Sequence, residues 1–126
     1  MRQIIVIYDR FDVVKVPFPF TDKHSTKVRP ALVVSNSVFN GTTGKTVLAM
    51  ITSTTKNEWL HDTPVTDLGT AGLTVQSLIR MKIFTIDNPL ILQRLGRLAV
   101  DDAINFENNF SKLTDFKCTL VSNNDR

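Results

Sequence analysis

The sequence predicts a mainly β domain: a small, strongly bent antiparallel sheet or barrel with helix packed on it near the C-terminus. Three observations carry this. Short runs of β-branched and aromatic residues recur, separated by polar or turn-forming stretches. They do not alternate with helical patterns, so a parallel βαβ sheet is not expected. One late stretch sets Ala103, Phe106, Phe110 and Leu113 at helical spacing.

The elements follow in order. Asp12 to Phe20 is rich in Val and Phe and reads as a strand. Pro17 and Pro19 cannot donate to a ladder, so its C-terminal end should be an edge or a bulge. Thr21 to Lys27 is polar throughout and reads as a loop. Ala31 to Ser35 is the second strand, entered through Arg29 and Pro30. Asn40 to Gly44 is turn-forming. Thr46 to Thr52 is the third strand, followed by polar Ser53 to Asn57. Thr63 to Asp67 reads as a short strand, and Gly69 and Gly72 bracket a turn. Ser77 to Thr85 is the next strand. Asn88 and Pro89 look like a helix entry, with the helix running to about Leu95 and stopping at Gly96. Arg97 to Val100 forms a last short strand, and Asp101 caps a second helix. Residues 1–10 are expected to be an extension or an extra edge strand, with Ile4 to Tyr8 as its apolar part. Residues 11–121 form one domain, and 122–126 a flexible tail.

Bulk properties narrow the function. The 126 residues are the size of one ordinary domain, and 42% are hydrophobic, enough for a core. Ile4 to Tyr8 is too short to span a bilayer and lacks the shape of a signal peptide. No membrane association is expected. The single cysteine, Cys118, excludes an internal disulfide framework and a cysteine zinc site. A reducing, cytoplasmic setting follows. The net charge of +3 permits a polyanionic partner without requiring one. There is no glycine-rich phosphate loop or dinucleotide fingerprint. His24 and His61 sit in no metal-ligand spacing, so no metal or cofactor is expected.

Polar residues at strand ends remain. If the second and third strands are antiparallel neighbours, Arg29 and Thr52 meet on one rim. A guanidinium fork and a hydroxyl make a good phosphate receptor. The same two residues also fit a solvated strand cap and an ordinary strand-end threonine.

Ordered motifs then carry a resemblance. "DVVKVPFPFTD" (Asp12 to Asp22), "KVRPALVVSN" (Lys27 to Asn36) and "AMITST" (Ala49 to Thr54) resemble the MazF/PemK type of toxin endoribonuclease. "WLHDTPVTDLGTAGL" (Trp59 to Leu73) is similar to that family's link into its central strand. "SLIRMKIFTIDNPLILQRLGRL" (Ser77 to Leu98) is similar to its Ser-x-x-Arg strand, Thr-x-Asp turn, short helix and Gly-x-Leu strand. The likeness runs from about Phe11 to Phe116.

The resemblance implies an SH3-like barrel with a C-terminal helix, shared with CcdB-type gyrase poisons. It also implies a homodimer with an RNA groove across the dimer face, and a small acidic antitoxin whose tail lies along that groove. The implied reaction is metal-independent cleavage of single-stranded RNA such as mRNA. The 2'-OH attacks the adjacent phosphate, leaving a 2',3'-cyclic phosphate and a 5'-OH. The family's Arg before Pro falls on Arg29 and its catalytic Thr on Thr52. His24, in the loop before Arg29, has the intrinsic range for proton transfer; it equally fits an exposed loop histidine. Lys27, Ser53, Thr54, Lys56, Ser77, Arg80 and Lys82 are the candidate RNA contacts. Some members hold an acid two residues after the strand arginine, where this chain has Lys82. That leaves open an inactive RNA- or protein-binding relative. It also leaves open the alternative that Arg80 and Lys82 pair with Asp67 or Asp87. A gyrase poison would need an apolar C-terminal tip, and this chain ends in polar residues, Ser122 to Arg126.

Overall fold

A computed structural model describes residues 5–18, 27–53 and 57–115. Within these residues six strands form one antiparallel sheet: β1 (Asp12–Pro17), β2 (Val28–Val33), β3 (Lys45–Ser53), β4 (Thr63–Pro64), β5 (Ser77–Asp87) and β6 (Gln93–Arg97). Their spatial order is β4-β5-β3-β2-β1-β6. Among the described residues three α-helices accompany them: α1 (Ser37–Thr43), α2 (Leu68–Ala71) and α3 (Val100–Thr114). The sheet curls into a half-barrel with α3 as its C-terminal helix.

Successive strand side chains point to opposite faces, and both faces of this sheet bury apolar residues. Val13, Leu32, Ala49, Ile51 and Ile79 share one face, and Ala103 and Phe106 of α3 pack against it with Ala71 and Leu98. Val14, Val16, Ala31, Val33, Leu48 and Phe84 share the other, with Phe18, Ile86 and Ile91. Each Val, Leu, Ile or Phe among them contributes roughly 1.5–3 kcal/mol on full burial. This two-sided burial explains why the strands read as apolar runs rather than strict alternations.

The β3–β5 register breaks between Ala49 and Met50. Ala49 faces Ile83 and Met50 faces Arg80, leaving Met81 and Lys82 with no residue opposite on β3. Extra residues on one strand bend it and re-aim its side chains.

The two edges of the curled sheet are joined by α2. A Cβ added at Gly72, which ends α2 with a φ of 75°, would lie 2.1 Å from the Leu95 carbonyl oxygen. One added at Gly96 in β6 would lie 2.5 Å from the Thr70 carbonyl oxygen. Backbone touches backbone here, and only glycine permits it. The Asp67 side chain caps α2, accepting from the Thr70 amide at 3.0 Å and its hydroxyl at 2.7 Å. The amide first and the hydroxyl second hold the Asp67 carboxyl below its ordinary range. Asp102, fully buried in α3, accepts from the Thr66 amide at 2.9 Å, the Thr66 hydroxyl at 2.6 Å and the Asp67 amide at 3.1 Å. It ties the helix to the segment between β4 and α2.

Several expectations need correction. The Asn40 to Gly44 turn is the second half of α1. Asn36 caps this helix by accepting from the Phe39 amide, and Gly44 ends it at a φ of 75°. Gly69 lies within α2 rather than bounding a turn. Asn88 opens only a 3-10 turn, Asn88–Leu90, and no helix runs to Leu95. The Leu92 amide donates to the Lys15 carbonyl at 2.9 Å, so β1 captures this stretch as β6. The last strand is therefore Gln93–Arg97, where Arg97 to Val100 was expected. The second strand starts at Val28, so Arg29 lies inside it. The third helix begins at Val100, with no side-chain cap from Asp101 or its neighbours. Leu113 is 44% exposed, whereas Ala103 and Phe106 are buried. Ile5 to Asp9 forms neither helix nor strand.

Gly96→Ala should lower stability by about 1–3 kcal/mol through overpacking at the α2–β6 contact. A denaturant midpoint equal to that of the native chain would show that this contact is not tight. Asp102→Ala strands the Thr66 and Asp67 donors, so it should cost roughly 1–3 kcal/mol by the same measurement.

Candidate functional site

Pro30 has no amide hydrogen, and the ladder between β2 and β3 ends one residue later, at Ala31 opposite Met50. On its other side β2 stays paired with β1, with Arg29 opposite Val16 and Val28 opposite Pro17. The backbone of Arg29 is thus held from one side while the other side opens toward β3. Continuing the Ala31–Met50 register by two residues sets Arg29 opposite Thr52. By the two-residue period, both side chains belong to the face of Ala31 and Met50. That face is opposite the one on which α3 packs, so neither residue lies beneath the C-terminal helix.

A cavity of about 300 Å³ opens at this rim. Arg29, Thr52, Ser53 and Ser77 line it, together with Val28, Leu73 and Thr74 among others. The Arg29 guanidinium carbon stands 5.9 Å from the centroid of the Phe18 ring. Arg29 and Thr52 are half-buried. Among the described residues, no carboxylate forms an ion pair with Arg29. A positive fork and a hydroxyl beside an open cavity can bind a phosphate oxygen from two directions.

Arg80 is different. It is 7% exposed. Its Nε donates to Asp62 Oδ1 at 3.1 Å and its Nη2 to Asp62 Oδ2 at 2.9 Å. Nη2 also donates to the Asn57 carbonyl at 2.7 Å. Its guanidinium lies 4.9 Å from the Trp59 ring centroid. The hydrogen bonds it donates to Asp62 raise the Arg80 pKa above its ordinary value, opposed by burial and helped by the carboxylate charge. The Arg80 partner is thus Asp62, neither Asp67 nor Asp87. Asp67 caps α2, and Asp87 pairs with Lys45 at 2.6 Å.

The other candidates are scattered around this geometry. Lys82 sits in the β5 bulge and is half-buried. Alternation from Met81, which packs on the α3 side, puts it on the face of Arg29 and Thr52. Ser53 and Lys27 are exposed. Ser77 is buried and donates its hydroxyl hydrogen to the Val75 carbonyl at 2.7 Å. His24, Thr54 and Lys56 lie outside the described residues. Among the described residues, no three His, Cys, Asp or Glu side chains converge as ligands for a metal ion. Sequence reasoning missed Asp62 and Trp59. No spacing rule links a loop acid to an arginine eighteen positions later. The lone tryptophan beside an acid was the only signal available.

The family profile described as PemK-like, MazF-like toxin of type II toxin-antitoxin system matches residues 9–113. Solved structures share the fold. MazF from Deinococcus radiodurans superposes with a TM-score of 0.69 at 20% identity, covering 88% of this chain and 99% of that one. Mycobacterium tuberculosis toxin MazF-mt6 gives 0.68 at 18% identity, covering 84% and 98%. A mycobacterial endoribonuclease solved with its cognate antitoxin gives 0.69 at 15% identity, covering 87% and 97%. No curated protein matches the chain. With the profile spanning most of the sequence, the chain belongs to the PemK-like, MazF-like toxin family of type II toxin-antitoxin systems.

Proposed function

We propose that this chain is the toxin of a type II toxin-antitoxin pair and a metal-independent endoribonuclease acting on single-stranded RNA. The observation that carries the reading is the register that sets Arg29 opposite Thr52 beside an open cavity. In the reaction, the ribose 2'-oxygen forms a bond to the adjacent phosphorus and the bond from phosphorus to the 5'-oxygen breaks. The 2'-OH proton passes to a base, and the leaving 5'-oxygen takes up a proton. Charge gathers on the non-bridging oxygens as this happens. Fixed donors aimed there are the largest source of rate available to the site. Arg29 supplies the permanent charge, and Thr52 adds a hydroxyl donor. His24 is the candidate base. Lys27, Ser53, Thr54, Lys56 and Lys82 serve the backbone of the bound strand. Ser77 and Arg80 support the site's walls.

The partner is a cognate antitoxin, as in the mycobacterial and Deinococcus complexes. A disordered acidic tail suits a mildly basic rim, because it can cover a wide surface although ordering it costs free energy. The toxin works as a homodimer in the cytoplasm. No described helix is long and apolar enough to cross a membrane.

Purified protein should cut single-stranded RNA in the presence of EDTA and leave 2',3'-cyclic phosphate and 5'-OH ends. Arg29→Ala should slow cleavage about a hundred- to thousandfold, and Thr52→Val by roughly tenfold, the value of one neutral hydrogen bond. Gel analysis of a labelled RNA measures both. RNA that is bound but left intact would identify an inactive binding relative instead. Full activity in Arg29→Ala would remove the proposed site.

A further inference from the structure

Beyond the rim, the turn between β3 and β4 holds a second cluster of polar and aromatic groups. Trp59 and Asp62 form a closed hydrogen-bonded unit there. The Trp59 amide donates to Asp62 Oδ2 at 2.9 Å, and the Asp62 amide donates to the Trp59 carbonyl at 3.2 Å. The same carboxylate grips Arg80 from two directions, and Arg80 lies over the Trp59 ring. His61 completes the turn in the left-handed region, at a φ of 71°. A non-glycine residue persists there at a cost only when its surroundings hold it. A tryptophan side chain is thereby fixed in backbone and ring position, yet it stays 45% exposed. It walls a cavity of about 460 Å³ shared with Leu60, His61, Pro64 and Leu78.

This cavity adjoins the candidate phosphate site. Thr52 is paired with Leu78, and Leu78 with Pro64. Directly opposed residues share a sheet face, so Arg29, Thr52, Leu78 and Pro64 form one row across β2, β3, β5 and β4. Neighbouring strands lie about 4.8 Å apart, which puts Pro64 about 10 Å from Thr52. That is the scale of the nucleotides adjoining a held phosphate.

We propose that Trp59 is a stacking platform for one unpaired base of the bound strand, positioned by the Arg80–Asp62 pair. The inference rests on the reading of the rim as an RNA phosphate site. The chemistry favours a base over other occupants. A base offers a flat π-face to the ring and brings its phosphate toward the positive rim. Arg80 on the ring is a positioning residue: it orients the platform and stays paired to Asp62.

Trp59 is the chain's single tryptophan, so tryptophan emission, excited where the single tyrosine does not absorb, reports this site alone. The native chain is titrated with short single-stranded oligonucleotides, 2'-O-methylated to block cleavage, in which one abasic position is moved along the strand. Saturable quenching is expected, lost when the abasic residue occupies one particular position. With a dye-labelled oligonucleotide, Trp59→Ala should weaken binding about tenfold to a hundredfold, and Trp59→Phe should restore most of it. Unchanged emission with every oligonucleotide overturns the platform and leaves an apolar peptide as the candidate for the ring. Native affinity in Trp59→Ala overturns it as well. The two readings fail separately. Quenching without cleavage of unmodified RNA removes the nuclease and keeps the platform. Cleavage by the native chain with no emission change removes the platform and keeps the nuclease.

Discussion

One missing hydrogen organises the candidate site. Pro30 has no amide proton with which to continue the ladder toward β3, so pairing stops at Ala31 and Met50. Pairing to β1 continues past it on the other side, through Arg29 and Val28. The strand therefore stays fixed while one of its edges opens. Arg29 sits at that opening with its backbone held and its guanidinium near the Phe18 ring. A charge held this way needs little reordering to meet a developing negative oxygen. Preorganisation of that kind makes electrostatic stabilisation effective. Thr52 faces the same rim only because the β2–β3 register is what it is. A slip of one residue would turn its side chain to the α3 face.

Arg29 and Arg80 share a residue type and a sheet face, yet their surroundings separate them. Arg80 is nearly enclosed, gripped at two nitrogens by Asp62 and bonded to the Asn57 carbonyl. Removing one partner of such a pair leaves the other charge buried and uncompensated. Its place is to hold the turn from Asn57 to Asp62 against β5. Arg29 is half-buried at the edge of a cavity, with an aromatic ring as its described neighbour. The β5 bulge sets Lys82 beside this face as a further cation. A fixed charge at the rim on β2, with a pinned aromatic across the sheet beside β5 and β4, is an arrangement suited to a flexible polyanion carrying flat bases.

Much of this was legible in the sequence, and the misses have physical causes. The strands around Val13, Leu32 and Leu48 declared themselves because both sheet faces are buried, which makes their apolar runs continuous. Arg29 and Thr52 were readable because strand neighbours and a two-residue period are enough to bring them together. The helix α1 was hidden by its own composition, Ser37 to Thr43, which is rich in turn-forming residues. It is held by the Asn36 cap and by the buried Asn40, whose amide donates to the Tyr8 and Ser35 carbonyls. The helix expected after Pro89 lost to tertiary pairing, because β1 offered that backbone a ladder. The Arg80–Asp62 pair depends on where a loop folds back, and no local pattern encodes that.

The central claim is that Arg29 and Thr52 act on one substrate phosphate. A double-mutant cycle tests it most directly, with Arg29→Lys, Thr52→Val and the pair compared in single-turnover cleavage of one RNA. Residues that share a ligand couple, so the combined loss should differ from the sum of the separate losses by about 0.5–3 kcal/mol. Losses that simply add would mean that the guanidinium and the hydroxyl act independently, and the account of this rim would be wrong.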